Sequence, residues 1–195
     1  MEKLDTILKI ASIISNNDDD VLAEITDNIS NIKLHAKEHL EDFEARNAPL
    51  KYTSYEDFNW AVAINILIRN NYIIQCPFQT NIIDFGWEIR SLRTFKEYGL
   101  FLDGKFVEDD IDFSTYDYDE DDEYDTYDDE TNYSDEDGIV EWCKTLDNKW
   151  FDEDICIGMI DISENVFTLF LACEEDLEAL EDLADNIGKI ISSVY

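Results

Sequence analysis

The C-terminal third of the chain carries the pattern that most constrains the fold. Two apolar runs, "ICIGMIDI" (155–162) and "VFTLFLAC" (166–173), are separated by three residues and predict a β-hairpin. The following "EEDLEALEDLADNIG" predicts an amphipathic helix with acidic residues in its first turn and Gly188 beyond its end. The final "KIISSVY" predicts another strand. A hairpin followed by a helix and a strand therefore closes the fold.

Helical periodicity dominates the first half of the chain. Residues 1–47 show two helical stretches and predict an N-terminal helical hairpin, the second stretch extending from Val21 to Phe43. "SYED" at 54–57 has the form of a capping box, and "FNWAVAINILIRNN" behind it predicts a buried central helix that ends at Asn70 and Asn71. "YIIQCPF" predicts a short strand.

The middle of the chain combines shorter signals. "TNIIDFGWEIRSLRTFKEYG" predicts one helix ending at Gly99, and "LFLDGKFVEDDIDF" predicts a hairpin with Asp103-Gly104 as its turn. "GIVEWCKTLDNKW" predicts a short helix.

These elements together predict one α+β domain over residues 1–195, in which a mixed or antiparallel sheet of four to five strands packs against several helices. Trp60 is predicted either in the core or at the apolar centre of an interface. The predicted core comprises Leu8, Ile25, Ile29, Phe58, Ala61, Ile64, Leu67, Ile73, Trp87, Ile157, Met159, Phe167, Leu169, Leu171, Leu177, Leu180 and Leu183.

A low-complexity acidic loop, residues 115–137, interrupts this pattern. It holds 13 carboxylates and 5 tyrosines in 23 residues, with no lysine or arginine. The whole chain has 48 acidic and 14 basic residues, a net charge of −34. Outside residues 106–143 the remainder still carries 30 acids and 14 bases. The chain is therefore acidic both in this loop and in its body.

This charge limits the class of partner. Nucleic acid and anionic membranes are bound through lysine and arginine, so direct binding to either is not expected. A basic protein is the expected partner, and the high charge also fits a surface that only maintains solubility. The predicted partner-binding residues are Tyr116, Asp117, Tyr118, Asp119, Asp121, Asp122, Glu123, Tyr124, Asp125, Tyr127 and Asp128.

A dedicated metal site is not predicted. Asp117, Asp119 and Asp121 have calcium-loop spacing, but Asp122 occupies the position that requires glycine and Asp128 the position of the usual glutamate. Neighbouring carboxylates predict at most a weak, nonspecific association with divalent cations. "HAKEH", with His35 and His39, has the form of an inverted zinc-peptidase motif but lacks an identifiable third ligand. No phosphate-binding or dinucleotide motif occurs, and no cofactor is predicted.

The cysteines and the N-terminus indicate the compartment. Cys76, Cys143, Cys156 and Cys173 form no metal-ligand or CxxC spacing, and we expect reduced thiols in the cytoplasm. The first 14 residues are amphipathic and charged, unlike a signal peptide, and no run is long enough to span a bilayer.

Two blocks of the chain carry a resemblance. "YEDFNWAVAINILIRNNYIIQCPFQTNIIDFGWEIRSL" and "ICIGMIDISENVFTLFLACEEDLEALEDLADNIGKII" resemble an uncharacterised bacterial family of domains of unknown function. In composition alone, the chain is also similar to acidic, aromatic-rich immunity proteins that neutralise bacterial toxins. Neither resemblance implies catalytic residues.

The leading interpretation is a non-enzymatic acidic protein-binding module, with an immunity protein as its concrete form. Two alternatives stay open at this point. One is a nucleic-acid mimic in which tyrosines and carboxylates imitate bases and phosphates. The other is a small hydrolase that uses carboxylates or a metal ion.

Overall fold

The computed structural model of the protein describes residues 2–31, 55–106, 135–162 and 165–195. Within these ranges, the helices are α1 Glu2–Ile14, α2 Asp19–Ser30, α3 Tyr55–Arg69, α4 Ile82–Ser91, α5 Arg93–Glu97, α6 Asp135–Lys149 and α7 Glu174–Asp185. The strands are β1 Ile74–Pro77, β2 Ile155–Ile160, β3 Val166–Cys173 and β4 Ile191–Ser193. Single 3-10 turns occur at Gly104–Phe106 and Phe151–Glu153.

The four strands form one antiparallel sheet in the order β1-β3-β2-β4. β2 and β3 are paired through Ile157 and Leu171, so the predicted C-terminal hairpin is confirmed. β1 is an edge strand and ends at Pro77, as expected for a residue that lacks a backbone donor. The fold is α+β, as the sequence predicts, with four strands in the described residues.

Both faces of the sheet are covered by helices. Side chains alternate across a strand, and Phe170 and Ala172 of β3 join a core cluster with α1, α2, α3 and α7. Leu169 and Leu171 point to the other face and join a second cluster with α4, α5 and α6. This double coverage explains why positions 167–172 of β3 are all buried and why the strand reads as a continuous apolar run.

The N-terminal helical hairpin is confirmed within residues 2–30. Asn16 and Asn17 both have positive φ, at 50° and 60°, and form the turn between α1 and α2. Asn31 caps α2, and the remainder of the predicted second stretch, including Phe43, lies outside the described residues.

The predicted central helix is also confirmed as α3. Its residues 59–67 are all buried, and Asn71 behind it has a positive φ of 59°. Trp60, 5 % exposed, belongs to the core and not to an interface.

Two predictions in the middle of the chain are wrong. The single helix expected over 80–98 is divided at Leu92, which has extended backbone angles (φ −58°, ψ 132°) and is fully buried. Within residues 101–106, a 3-10 turn replaces the hairpin expected at Asp103-Gly104. Phe106 turns inward, and its ring centroid lies 6.3 Å from that of Phe85. The remainder of that predicted hairpin lies outside the described residues.

The predicted core is largely confirmed, with one clear error. Trp87 is 57 % exposed, because α4 directs Phe85, Gly86 and Ile89 into the core and places Trp87 on its outer side. Several predicted core residues lie at the margins and are partly buried: Leu8, Phe58, Met159 and Leu183.

Candidate functional site

The predicted partner-binding residues, from Tyr116 to Asp128, lie outside the described residues, as do His35 and His39. The structure does describe the two anchors of this segment. Phe106 precedes it and is buried in the second core cluster, beside Phe85 of α4. Asp135 begins α6, whose Trp142 ring lies 5.4 Å from the Phe85 ring. Residues 135–137 of the predicted loop therefore belong to α6, and the described residues on either side of the remaining acidic segment lie on the α4–α6 side of the sheet.

The acidic helix α7 forms a second anionic surface. Seven of its 12 residues are acidic and none is basic. Leu177, Leu180 and Ala184 face the core, which leaves the acids on the outer side. The exposed acidic residues of this helix are Glu174, Glu175, Glu178, Glu181, Asp182 and Asp185. We call these six residues the α7 acidic surface.

Several basic side chains are engaged within the protein itself. Arg69 pairs with Glu24 at 3.3 Å, and Lys144 pairs with Glu141 at 2.8 Å. The Arg90 guanidinium lies 5.6 Å from the centre of the Trp87 ring. Such contacts partly neutralise the few bases, and the surplus of carboxylates then sets the sign of the surface potential.

Arg93, an exposed side chain, takes part in a junction with Asp18 and the buried Tyr72. Its Nη1 lies 3.0 Å from Oδ2 of Asp18, and the same carboxylate oxygen accepts a 2.8 Å hydrogen bond from the hydroxyl of Tyr72. Asp18 is also the N-cap of α2 and accepts from the backbone N–H groups of Asp20 and Val21. The hydrogen bond from Tyr72 is the main reason that the pKa of Asp18 is lowered. This cluster therefore ties three segments together and is fully used by the fold.

Two exposed phenylalanines lie on adjacent segments beside the end of α6. Phe101 is 59 % exposed and Phe151 is 75 % exposed. The buried Trp150 connects the segments, because its Nε1–H donates to the carbonyl oxygen of Phe101 at 3.4 Å. Lys149 lies over the Phe101 ring, with Nζ 4.2 Å from the centroid, and pairs with Asp103. Exposed aromatic side chains and carboxylates thus occur together here.

The sequence did not identify these two phenylalanines. Phe101 stands in an apolar run, "LFL", and only the structure shows that Leu100 and Leu102 are buried while the ring between them faces outward. Phe151 had a recognisable signal, since three acids follow it directly in "FDED".

Among the described residues, Asp147 of α6 has a carboxyl group whose pKa is clearly raised. Its Oδ1 accepts the backbone N–H of Ile157 at 2.8 Å, and its Oδ2 accepts the hydroxyl of Tyr195, also at 2.8 Å. Burial raises its pKa to about 6, against the opposing effect of these two hydrogen bonds. Both oxygens hold structural partners, so this carboxyl joins α6 to β2 and the C-terminal segment.

All four cysteines are free thiols. Cys76 and Cys143 are fully buried, and burial is the main cause that raises the pKa of each, for Cys76 to about 12. Burial also raises the pKa of Cys156 to about 12. Thiols in this state remain protonated at neutral pH and are poor nucleophiles.

Within the described ranges, no three His, Cys, Asp or Glu side chains are grouped as a metal ion would require. In the same ranges, no helix is both long and apolar enough to cross a bilayer.

Comparison with known proteins gives one match. The model of a family described as a domain of unknown function matches residues 6–195, almost the whole chain. No curated protein and no solved structure matches the chain significantly.

Proposed function

We propose that this chain, which belongs to the family Domain of unknown function (DUF6630), is a non-enzymatic binding module that engages a basic protein partner. The observation that carries the proposal is the α7 acidic surface, six exposed acids on a helix without a single base. It supports the proposal because the anionic surface is a property of the folded body as well as of the acidic loop.

The distribution of charge strengthens this argument. The described ranges contain 29 acidic and 10 basic residues, and the loop residues 115–134 add ten acids and no base. A surface potential of one sign raises the local concentration of an oppositely charged partner and speeds diffusional encounter. Direct binding to a nucleic acid or to an anionic membrane would be repelled by the same potential.

The proposed mechanism has two parts, encounter and retention of the partner. The carboxylates accelerate encounter and select a basic partner, whereas exposed aromatic side chains supply the apolar contact that slows dissociation. The predicted partner-binding residues of the acidic loop, from Tyr116 to Asp128, act as an arm that faces the partner. The concrete form that we propose is a cytoplasmic, bacterial immunity-type protein that neutralises a basic toxin.

Removal of the acidic loop tests the proposal. In the variant, a Gly/Ser linker of equal length replaces residues 115–134, which leaves α6 complete because this helix begins at Asp135. Stopped-flow fluorescence measures association with a labelled lysine-rich peptide at low and at physiological salt. We expect slower association and a weaker salt dependence of the association rate, with the melting temperature not lowered.

A second variant examines the folded body alone. Glu178→Gln with Glu181→Gln removes two charges from the α7 acidic surface without changing side-chain size, and we expect a smaller decrease in association rate. The matched control is a Gln substitution of Glu141, an exposed acid that pairs with Lys144. Unchanged association rates for both the loop variant and the α7 variant at low salt would refute the proposal.

A further inference from the structure

We infer that Phe101 and Phe151 form the apolar centre of the docking surface, and that the partner segment carries one large apolar side chain flanked by Lys or Arg. The inference rests on the proposed function and names the part of the surface that holds the partner after encounter. We call the two rings and the exposed acids of the same two segments, Asp103, Asp152, Glu153 and Asp154, the Phe101–Phe151 surface.

The fold fixes the position of Phe101 without burying its ring. Leu100 and Leu102, on either side, are each 8 % exposed and belong to the second core cluster. The backbone carbonyl of Phe101 is held by the indole N–H of Trp150, which is 1 % exposed. The segment is therefore anchored by its neighbours, and the Phe101 ring itself is left 59 % exposed to solvent.

Phe151 is positioned in a similar way. It begins the 3-10 turn that follows α6, and Asp154 closes this turn with a left-handed backbone (φ 59°) and a 3.1 Å hydrogen bond from its N–H to the carbonyl of Phe151. A second bond joins the N–H of Ile155 to the carbonyl of Trp150 at 3.3 Å. Because the backbone is already ordered, little conformational entropy is lost when a partner covers the ring.

The two rings differ from isolated surface hydrophobics, which are common in soluble proteins, because the segments that carry them are in contact. They belong to segments that contact each other through Trp150, Lys149 and Asp103. Aromatic side chains, Phe included, are enriched at protein interfaces, and exposed apolar side chains on neighbouring segments favour an interaction site.

Charge complementarity determines the occupant. The four acids of this surface are all exposed, and the ammonium of Lys149 already pairs with Asp103. An apolar side chain placed on the rings would bring its neighbours against carboxylates, where Lys or Arg is favoured. A second copy of this chain would bring like charges together at the same place and is disfavoured.

Two synthetic peptides test the inference. Both carry the same number of lysines, and one has a central leucine where the other has alanine; fluorescence anisotropy gives Kd for each. We expect the wild-type protein to bind the leucine peptide about tenfold more tightly. Phe101→Ser and Phe151→Ser should each lose most of this preference and leave the affinity for the alanine peptide unchanged.

Matched controls and the loop variant separate the two proposals. Trp87→Ser and Ile190→Ser alter side chains of similar exposure elsewhere, 57 % and 59 %, and should keep the preference. The Gly/Ser loop variant should weaken both peptides equally. If the wild-type protein bound the two peptides equally, or if the controls also lost the preference for leucine, the inference about the Phe101–Phe151 surface would be wrong and the proposed function would stand. If neither peptide bound, both the inference and the proposed function would be wrong.

Discussion

Gly86 is required by a close approach between two segments and not by helix geometry. It lies inside α4, and a Cβ atom at this position would collide with the backbone carbonyl of Phe106. The carbonyl cannot easily move, because the Phe106 side chain is buried beside Phe85. The residue thus allows the segment leading to the acidic loop to rest directly on α4.

The substitution Gly86→Ala introduces this Cβ atom. In an exposed helix this change would stabilise the protein by about 1 kcal/mol. Here we expect the steric conflict to outweigh that gain and to destabilise the fold by about 1–3 kcal/mol, measured by urea unfolding.

Gly138→Ala is the matched control for this prediction. This glycine also lies in a helix, and its added Cβ would meet only the edge of the Trp142 side chain, at 3.2 Å. Equal stability of the two variants would show that the approach of Phe106 does not constrain position 86.

Asp147 gives a prediction about pH. Its folded-state pKa of about 6 exceeds that of an exposed aspartate, about 3.9. As the pH rises, Asp147 therefore loses its proton at a lower pH in the unfolded chain than in the folded one. Ionisation therefore destabilises the fold, and this contribution to stability falls as the pH rises from about 4 to about 6.

Asp147→Asn should remove that contribution while its amide oxygen still accepts from the N–H of Ile157. The melting temperature of the variant, relative to the wild type, should then increase between pH 4 and pH 6. Asp161→Asn, at an exposed position, is the control. If the difference in melting temperature between the Asp147 variant and the wild type stayed constant from pH 4 to pH 6, the raised pKa of Asp147 would be contradicted.

At the scale of elements, Asp18 organises a junction between the start of α2, the segment after α3 and the start of α5. It caps α2 and also accepts from the Tyr72 hydroxyl and from Arg93. We expect Asp18→Ala to destabilise the protein by about 2–4 kcal/mol, since it removes the cap and leaves the buried Tyr72 hydroxyl without its acceptor.

Thermal unfolding of Asp18→Ala and Tyr72→Phe measures the two parts of this effect. Tyr72→Phe deletes only the hydroxyl and should cost about 1 kcal/mol. Because the pKa of Asp18 is lowered in the folded state, its stabilisation is present at neutral pH and is lost as the pH falls below about 4. Equal losses for the two variants would show that the cap contributes nothing.

Local patterns explain which elements were predictable. The hairpin, α7 and β4 follow from short-range periodicity and turn residues, so the sequence specified them. The break at Leu92 and the 3-10 turn at Gly104 depend on contacts between distant segments, such as Phe106 against Gly86. A local pattern contains no information about such contacts.

In the candidate site, too, some features could be predicted from the sequence and others depend on contacts between distant segments. Composition identified the acidic loop and the acids of α7, because charge is a property of the residues themselves. The exposure of Phe101 depends on the burial of Leu100 and Leu102, and the exposure of Trp87 depends on which side of α4 faces the core. Both therefore required the structure.

For the whole molecule, net charge is the dominant property. With 48 acidic and 14 basic residues, the folded chain experiences repulsion among its own carboxylates. Added NaCl screens that repulsion, so we expect the melting temperature to rise by a few degrees between about 20 and 500 mM salt. The Gly/Ser loop variant, with ten fewer acids, should show a smaller rise. A melting temperature that falls with salt would contradict this view of the charge.

Salt should therefore stabilise the protein while it weakens binding. The most direct test of the binding proposal is the association rate constant of the wild-type protein with the leucine-containing lysine peptide, measured by stopped-flow at low and at physiological ionic strength. Recognition through the anionic surface predicts fast association that slows by about tenfold or more as salt screens the charges. An association rate that does not change with ionic strength would contradict it.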